Sequence, residues 1–355
     1  MLLTHVLLQN VRAFENQEVD LNRLTVFVGP NSSGKTSILE AIELVSSKDE
    51  AFKSLQADPK SWYRRDSKGL FQIRIRGYED GKEQIYEFIG GPDSTGILPG
   101  IEPSVIKPKI IWKHREVPEG KSLFTRGVLL RLNSKTMAEA SYSKEHRPDL
   151  GSDGMGLASV LSELALNDPE TFSQIKDSLR SVIPTVKDVR FERVELPVYE
   201  QKPQVKIPYN SFDDDEVNMV VRRYWGHRLV FDMVGAKQIS ALQVSEGTLL
   251  VLGLLTVLFR SPRPNLILLD NIDLSLHPRA QKDALKLLRS IMSQYPSLQI
   301  LATTHSPYLL DELVPEEIRV TTLDSQGIAR CAGLSDSPEF EKWKIRISAN
   351  PAQVK

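Results

Sequence analysis

Eight consecutive residues, Gly29-Pro30-Asn31-Ser32-Ser33-Gly34-Lys35-Thr36, have the types and spacing that a phosphate chain requires of a protein. Glycines at both ends let backbone N–H groups turn inward, where they meet negative charge at the start of a helix. Lys35 supplies an ammonium for the outer phosphates, and the Thr36 hydroxyl is a hard-oxygen ligand suited to Mg²⁺. The chemistry this predicts is the binding of a nucleoside triphosphate with its magnesium ion.

Such a loop works only if a strand delivers it and a helix receives it. Leu24-Thr25-Val26-Phe27-Val28 is a continuous apolar run that reads as a buried parallel strand. Ile38, Leu39, Ala41, Ile42 and Val45 then recur at helical spacing. Far along the chain, Leu266 to Leu269 and Ile300 to Thr303 are two further apolar strands, and the segment between them carries Ala280, Ala284, Leu287, Leu288, Ile291 and Met292 on one helical side. This alternation implies a parallel sheet and an α/β fold class.

Between these regions the texture changes. Phe71-Gln72-Ile73-Arg74-Ile75-Arg76 alternates strictly, and Asp80-Gly81 predicts a hairpin into Ile85-Tyr86-Glu87-Phe88. Two helices are expected between Gly156 and Ile183, punctuated by Asp168-Pro169. Strands are expected near 188–195, 203–208, 217–223 and 228–234, with polar or Pro/Gly-rich loops at 92–108 and 141–156.

The other residues able to act on a triphosphate sit at the ends of the late strands. Asp270 closes the strand 266–269 and is followed by Asn271-Ile272-Asp273, and further on by Leu276-His277-Pro278. Thr303-Thr304-His305-Ser306-Pro307 closes the next strand, and Ser306-Pro307 reads as an N-cap with its first helical residue. Ser245-Glu246-Gly247-Thr248 precedes an apolar helix at 249–259, where Ser245 also has a purely local reading as an N-cap.

Taken together, these motifs resemble the ABC-type ATPase heads of the RecF/SMC/OLD group, and especially stand-alone AAA-family, RecF-like ATPases with an LHP and THSP tail. The resemblance implies ATP and Mg²⁺ as cofactors, with Asp270 as the Walker B aspartate beside Thr36 at the metal. It implies that His305 senses the γ-phosphate. It further implies that Ser245 and Gly247 reach the nucleotide of an opposite protomer, so that two heads sandwich ATP in a homodimer. Asn10-Val11-Arg12-Ala13-Phe14 resembles the stretch whose arginine lies beside the nucleotide, although a plain strand-end arginine explains Arg12 equally well.

The implied fold is an ABC-type P-loop ATPase head carrying an inserted α+β lobe. Its expected boundaries are 1–50 and 236–330 for the head, 51–235 for the lobe and 331–355 for a C-terminal tail. One departure bears on catalysis. The family places Glu after the Walker B aspartate; this chain has Asn271, whose amide accepts no proton from an attacking water. General-base catalysis typically contributes 10²- to 10⁴-fold, roughly 3 to 5 kcal/mol, so slow hydrolysis and a long-lived ATP-bound dimer are expected. Asp273 is the nearest alternative acid.

Composition limits the remaining readings. The chain has 355 residues, 41% hydrophobic and 26% charged, with a formal charge of -1, so no global basic field marks it for nucleic acid. Basic residues do interleave with aromatics at 60–65, 107–115 and 222–228, which fits either solvated strand faces or a DNA backbone contact. Cys331 is the single cysteine, excluding an intrachain disulfide and pointing to a cytoplasmic setting. No apolar run has the roughly 20 residues that span a bilayer, so no membrane role is expected.

Only 50 residues follow His305, too few for the nuclease domain that OLD-type proteins append. The resemblance therefore implies an ATPase subunit of a prokaryotic anti-phage or DNA-maintenance system, acting with a separate nuclease or toxin effector. A nucleotide-binding scaffold is the competing reading. A transporter ATPase is disfavoured, because Leu-Ser-Gly-Gly-Gln is absent and Ser245 lies more than two hundred residues beyond Lys35.

Overall fold

The computed structural model describes residues 2–46, 59–62, 64, 70–79, 81–90, 111–112, 115–116, 127–201 and 219–336. The expected loop at 92–108, the expected strand at 203–208, and most of the basic stretch at 107–115 lie outside them. The chain forms two compact units, residues 1–131 with 261–355 and residues 132–260.

In the first unit, β1 (Leu2–Val11), β2 (Phe14–Asp20), β4 (Phe71–Glu79) and β5 (Lys82–Gly90) form an antiparallel sheet in the order β2-β1-β4-β5. The predicted hairpin is present, with Glu79 opposite Lys82 and Gly81 at φ +74°, the left-handed conformation such a turn needs. Its partner is β1, through pairs such as Val6 with Ile75. The hairpin therefore belongs with the N-terminal strands, whereas the sequence texture groups it with the inserted lobe. Two two-residue strands, β6 (Ile111–Trp112) and β7 (Arg115–Glu116), pair with each other.

The second sheet of this unit has six strands in the order β15-β14-β3-β13-β12-β8. It uses β3 (Leu24–Val28), β8 (Gly127–Leu130), β12 (Leu266–Leu269), β13 (Gln299–Thr303), β14 (Ile318–Leu323) and β15 (Ala329–Gly333). All neighbours are parallel except β14 and β15. Every residue of β12 and β13 is buried, as strands covered on both faces require. Helix α1 (Lys35–Ser46) buries Ile38, Leu39, Ala41, Ile42, Leu44 and Val45 in one core with Leu3, Val6, Phe71 and Ile75 of the antiparallel sheet and Phe27, Leu266 and Leu301 of the parallel one. This burial around most of the helix circumference accounts for its apolar stripe being wider than one face.

The second unit contains α2 (Ser134–Ala138), α3 (Leu157–Asn167), α4 (Pro169–Val182), β9 (Val186–Gln201), β10 (Met219–Met233), β11 (Ala236–Ser240) and α5 (Glu246–Phe259). Asp168 caps α4 by accepting from the Thr171 N–H at 3.1 Å, with Pro169 in the first helical position, as the Asp-Pro pair predicts. The strand expected at 188–195 extends to Gln201 as β9, and those expected at 217–223 and 228–234 are one strand, β10, paired with β9 without a break from Asp188–Asp232 to Gln201–Met219. Composition does not register such continuous cross-strand pairing.

Helices α6 (Pro278–Gln294) and α7 (Pro307–Leu310) complete the first unit. The Ser245-to-Gly247 stretch belongs to the second unit, at the start of α5, whereas the sequence texture groups it with the head.

Candidate functional site

Register decides what meets at the carboxyl edge of the parallel sheet. Phe27 pairs with Thr303, and Leu269 pairs with Ala302 on one side and Leu130 on the other. Four strands therefore end together, and the next residues, Gly29, Arg131, Asp270 and Thr304-His305, emerge along one rim. Ligands of open parallel sheets bind outside this edge.

The loop after β3 is built from left-handed and extended turns, with Ser32 at φ +62°, Gly34 at φ +96° and Gly29 at φ +149°. A side chain at Gly34 would place its Cβ 2.6 Å from the Phe14 ring, and one at Gly29 would collide with the Thr321 carbonyl. Glycine is needed at both places for space as well as for torsion. The buried Ser33 hydroxyl meets Thr321 Oγ1 at 2.6 Å, pinning the loop to β14.

Lys35 is 4% exposed, and its ammonium donates to the Gly29 and Pro30 carbonyls at 2.9 and 2.7 Å. It is thus held inside the loop it serves. Burial lowers the pKa of this lysine, and the Asp270 carboxylate partly opposes that shift.

Thr36 Oγ1 donates to Asp270 Oδ1 and Oδ2 at 3.2 and 3.3 Å, joining the two expected metal ligands across 234 positions of sequence. Thr303, buried on the strand between them, donates its hydroxyl to Asp270 Oδ1 at 2.6 Å and accepts from the Asn271 N–H at 2.9 Å. That second bond fixes Asn271 at φ +68°, with its side chain exposed. Asp273 accepts from Thr304 Oγ1 at 3.1 Å and so is engaged by the neighbouring turn.

Arg12, also left-handed at φ +50°, donates to Ser37 Oγ at 3.3 Å, pairs with Glu40 and lies 4.7 Å over the Trp62 ring. Glu40 simultaneously pairs with Arg131, whose Nε is 3.9 Å from Asp270 Oδ2. The sequence motifs include Thr303 but give its hydroxyl no role, and Glu40 and Arg131 lie outside them. Of these two, Glu40 carries a signal, since it stands four residues after Thr36 and therefore on the same helix face.

His305 is exposed between buried Thr304 and Ser306. Ser306 occupies the N-cap position with Pro307 behind it, as expected, but its hydroxyl does not cap the helix. It donates instead to Gln281 Oε1 at 2.6 Å, while Gln281 Nε2 donates to the Leu276 carbonyl at 2.8 Å. The Ser306 N–H donates to Thr304 Oγ1 at 3.0 Å, which fixes the turn ahead of α7. The turn holding Leu276-His277-Pro278 is tied in this way to the turn holding His305.

In the second unit, Ser245 is the N-cap of α5. Its exposed hydroxyl lies 2.7 Å from Thr248 Oγ1 and accepts from the Thr248 N–H at 3.4 Å, with Gly247 buried behind it. On the β9–β10 ribbon, Arg223 and Arg228 pair with Glu195 and Glu192 at 3.4 and 2.7 Å, and Arg193 lies over the exposed Trp225. These pairings are those of a solvated strand face. Among the described residues there is no group of three or more His, Cys, Asp or Glu side chains able to hold a metal unaided, so a metal at Asp270 needs oxygens from a ligand and from water.

Three comparisons bear on this geometry. Residues 24–311 match the family model described as "AAA domain, putative AbiEii toxin, Type IV TA system". A 62-residue segment, 18% of the chain, is 39% identical to the Septu protein PtuA of Bacillus thuringiensis, of whose length it spans 15%. The SMC head bound to the C-terminal winged-helix domain of ScpA superposes with a TM-score of 0.63 at 13% identity, covering 96% of this chain and all of that one. An SMC head domain from Thermotoga maritima and the recombination mediator RecF with ATPrS both give 0.51, at 13% and 14% identity; each comparison covers 94% of this chain, with 99% of the SMC head and 98% of RecF. The chain therefore belongs to this AAA-domain family, matched over residues 24–311, and its fold is the one seen in SMC heads and RecF.

Proposed function

We propose that the chain binds Mg-ATP at the rim of the parallel sheet, pairs head to head around it, and hydrolyses it slowly. The observation carrying this reading is the direct meeting of Thr36 and Asp270, two hard-oxygen donors, beside a loop that already holds Lys35 inward. Their chemistry fits magnesium, which prefers octahedral oxygen and retains water. Bound there, the metal would supply positive charge to the outer phosphates. Loop N–H groups and Lys35 hold the phosphates, Thr36 and Asp270 hold the metal, Arg12 flanks the nucleotide and His305 stands at its outer end. Ser245 and Gly247 serve the site of a second copy, since a helix N-terminus with an exposed hydroxyl suits a phosphate.

Slow turnover follows from Asn271. Its amide accepts no proton, and the nearest acid in sequence, Asp273, already takes the Thr304 hydroxyl at Oδ1. The partial likeness to PtuA supports a role in anti-phage defence with a separate nuclease or toxin effector. No described helix is long and apolar enough to cross a membrane, and a cytoplasmic site of action is part of the proposal. The pairing of the ribbon arginines with acids leaves DNA outside it. A nucleotide-binding scaffold remains the second reading, favoured by Asn271 alone.

Light scattering of the purified chain with and without Mg-ATP tests the proposal. Mass should double with nucleotide in the wild type and stay monomeric in Lys35→Ala and Ser245→Arg. A mass indifferent to nucleotide, or doubling that survives both substitutions, refutes it.

A further inference from the structure

The rim contains a cation that the nucleotide chemistry does not call for. Arg131 is the first residue after β8, and its guanidinium stands between two carboxylates, paired with Glu40 on one side and 3.9 Å from Asp270 Oδ2 on the other. Glu40 is itself held by Arg12, so charges alternate from Arg12 through Glu40 and Arg131 to Asp270. The two Asp270 oxygens are unequal. Oδ1 accepts from Thr303 at 2.6 Å and from Thr36 at 3.2 Å; Oδ2 has only the 3.3 Å contact to Thr36 and faces Arg131. The oxygen open to a metal is the one the guanidinium opposes.

We propose that Arg131 is a built-in counter-cation of the metal site. It shares its charge between Glu40 and Asp270 while no metal is bound, and gives up Asp270, keeping Glu40, when a divalent ion takes Oδ2. A dication and a guanidinium repel one another across one carboxylate, so both cannot hold Oδ2 closely. The Arg131 side chain is 45% exposed, which gives it room to move without repacking the core, and Glu40 already holds its other edge. Arg131 is therefore a positioning residue that sets how much magnesium the site requires. The proposal rests on Asp270 being the metal ligand.

Mn²⁺ uptake by the full chain, followed by the paramagnetic resonance of the free ion, tests this without turnover. Arg131→Gln should bind Mn²⁺ several-fold more tightly than wild type, Arg131→Lys should stay close to wild type, and Asp270→Asn should abolish binding in either background. An Arg131→Gln protein whose Mn²⁺ uptake is no tighter than wild type, detectable or not, overturns the proposal. A second arm measures a fluorescent ATP analogue in EDTA. Arg131→Gln should leave that affinity unchanged, and a loss would make Arg131 a phosphate ligand and overturn the counter-cation role. Nucleotide binding insensitive to Lys35→Ala would instead sink the ATP reading while leaving the Mn²⁺ result to stand on its own.

Discussion

Thr303→Val is the perturbation that most directly probes how Asp270 is held. Thr303 is 1% exposed and valine matches its shape, so the substitution opens no cavity and removes only a hydroxyl. Two interactions go with it. One is a 2.6 Å bond to a carboxylate, a class that contributes about 1.5 to 3 kcal/mol; the other is the 2.9 Å bond from the Asn271 N–H, which contributes about 1 kcal/mol and helps fix a left-handed residue. The expected loss is about 2 to 4 kcal/mol.

Urea unfolding followed by far-ultraviolet circular dichroism would measure it, with Thr303→Ser as the control. Serine keeps both bonds and loses one buried methyl, at a cost of about 1 kcal/mol. In the Asp270→Ala background the valine substitution should cost at least about 1 kcal/mol less than in wild type, because the carboxylate it served is gone. Equal losses for valine and serine, or full additivity with Asp270→Ala, would refute the claim that this hydroxyl orients the aspartate.

Three further outcomes follow from the structure. Asn271→Glu should raise steady-state ATP hydrolysis by about 10²-fold or more if the missing general base limits turnover, and an unchanged rate counts against that reading. Because Asn271 sits at φ +68°, where asparagine is favoured over glutamate, the same variant should lose about 1 kcal/mol of stability in urea. Cys331 is 5% exposed and burial pushes its thiol up to about 12, so it should resist Ellman's reagent in the native protein at pH 8 and react on unfolding; prompt native reaction would contradict the packing.

His227 carries the pH prediction. Burial, and then Arg193 directly opposite on β9, lower its pKa below the ordinary value of about 6.5. The unfolded chain therefore takes up the proton first as pH falls. The stability contributed by neutral His227 is present above about pH 6.5 and is lost as pH drops through the folded value. Unfolding at pH 7.5 and 5.5 should show a larger acid loss for wild type than for His227→Gln, and equal losses would remove the histidine from the account.

The sequence by itself determined the elements whose information is local. Glycines at 29 and 34 with Lys35 and Thr36 specify a loop because torsion, space and charge are properties of adjacent residues. The buried strands 24–28, 266–269 and 299–303 were legible as apolar runs, and the helix after Asp168-Pro169 was legible from its cap. Only the tertiary structure decided which strand ends meet. Thr303 reaches Asp270 because β13 lies between β3 and β12, and Arg131 reaches it because β8 completes that edge. The hairpin β4–β5 likewise pairs with β1 and so belongs to the first unit. Strand order and register are set by how whole sheets bury their faces, a balance summed over the core that no single window of residues contains.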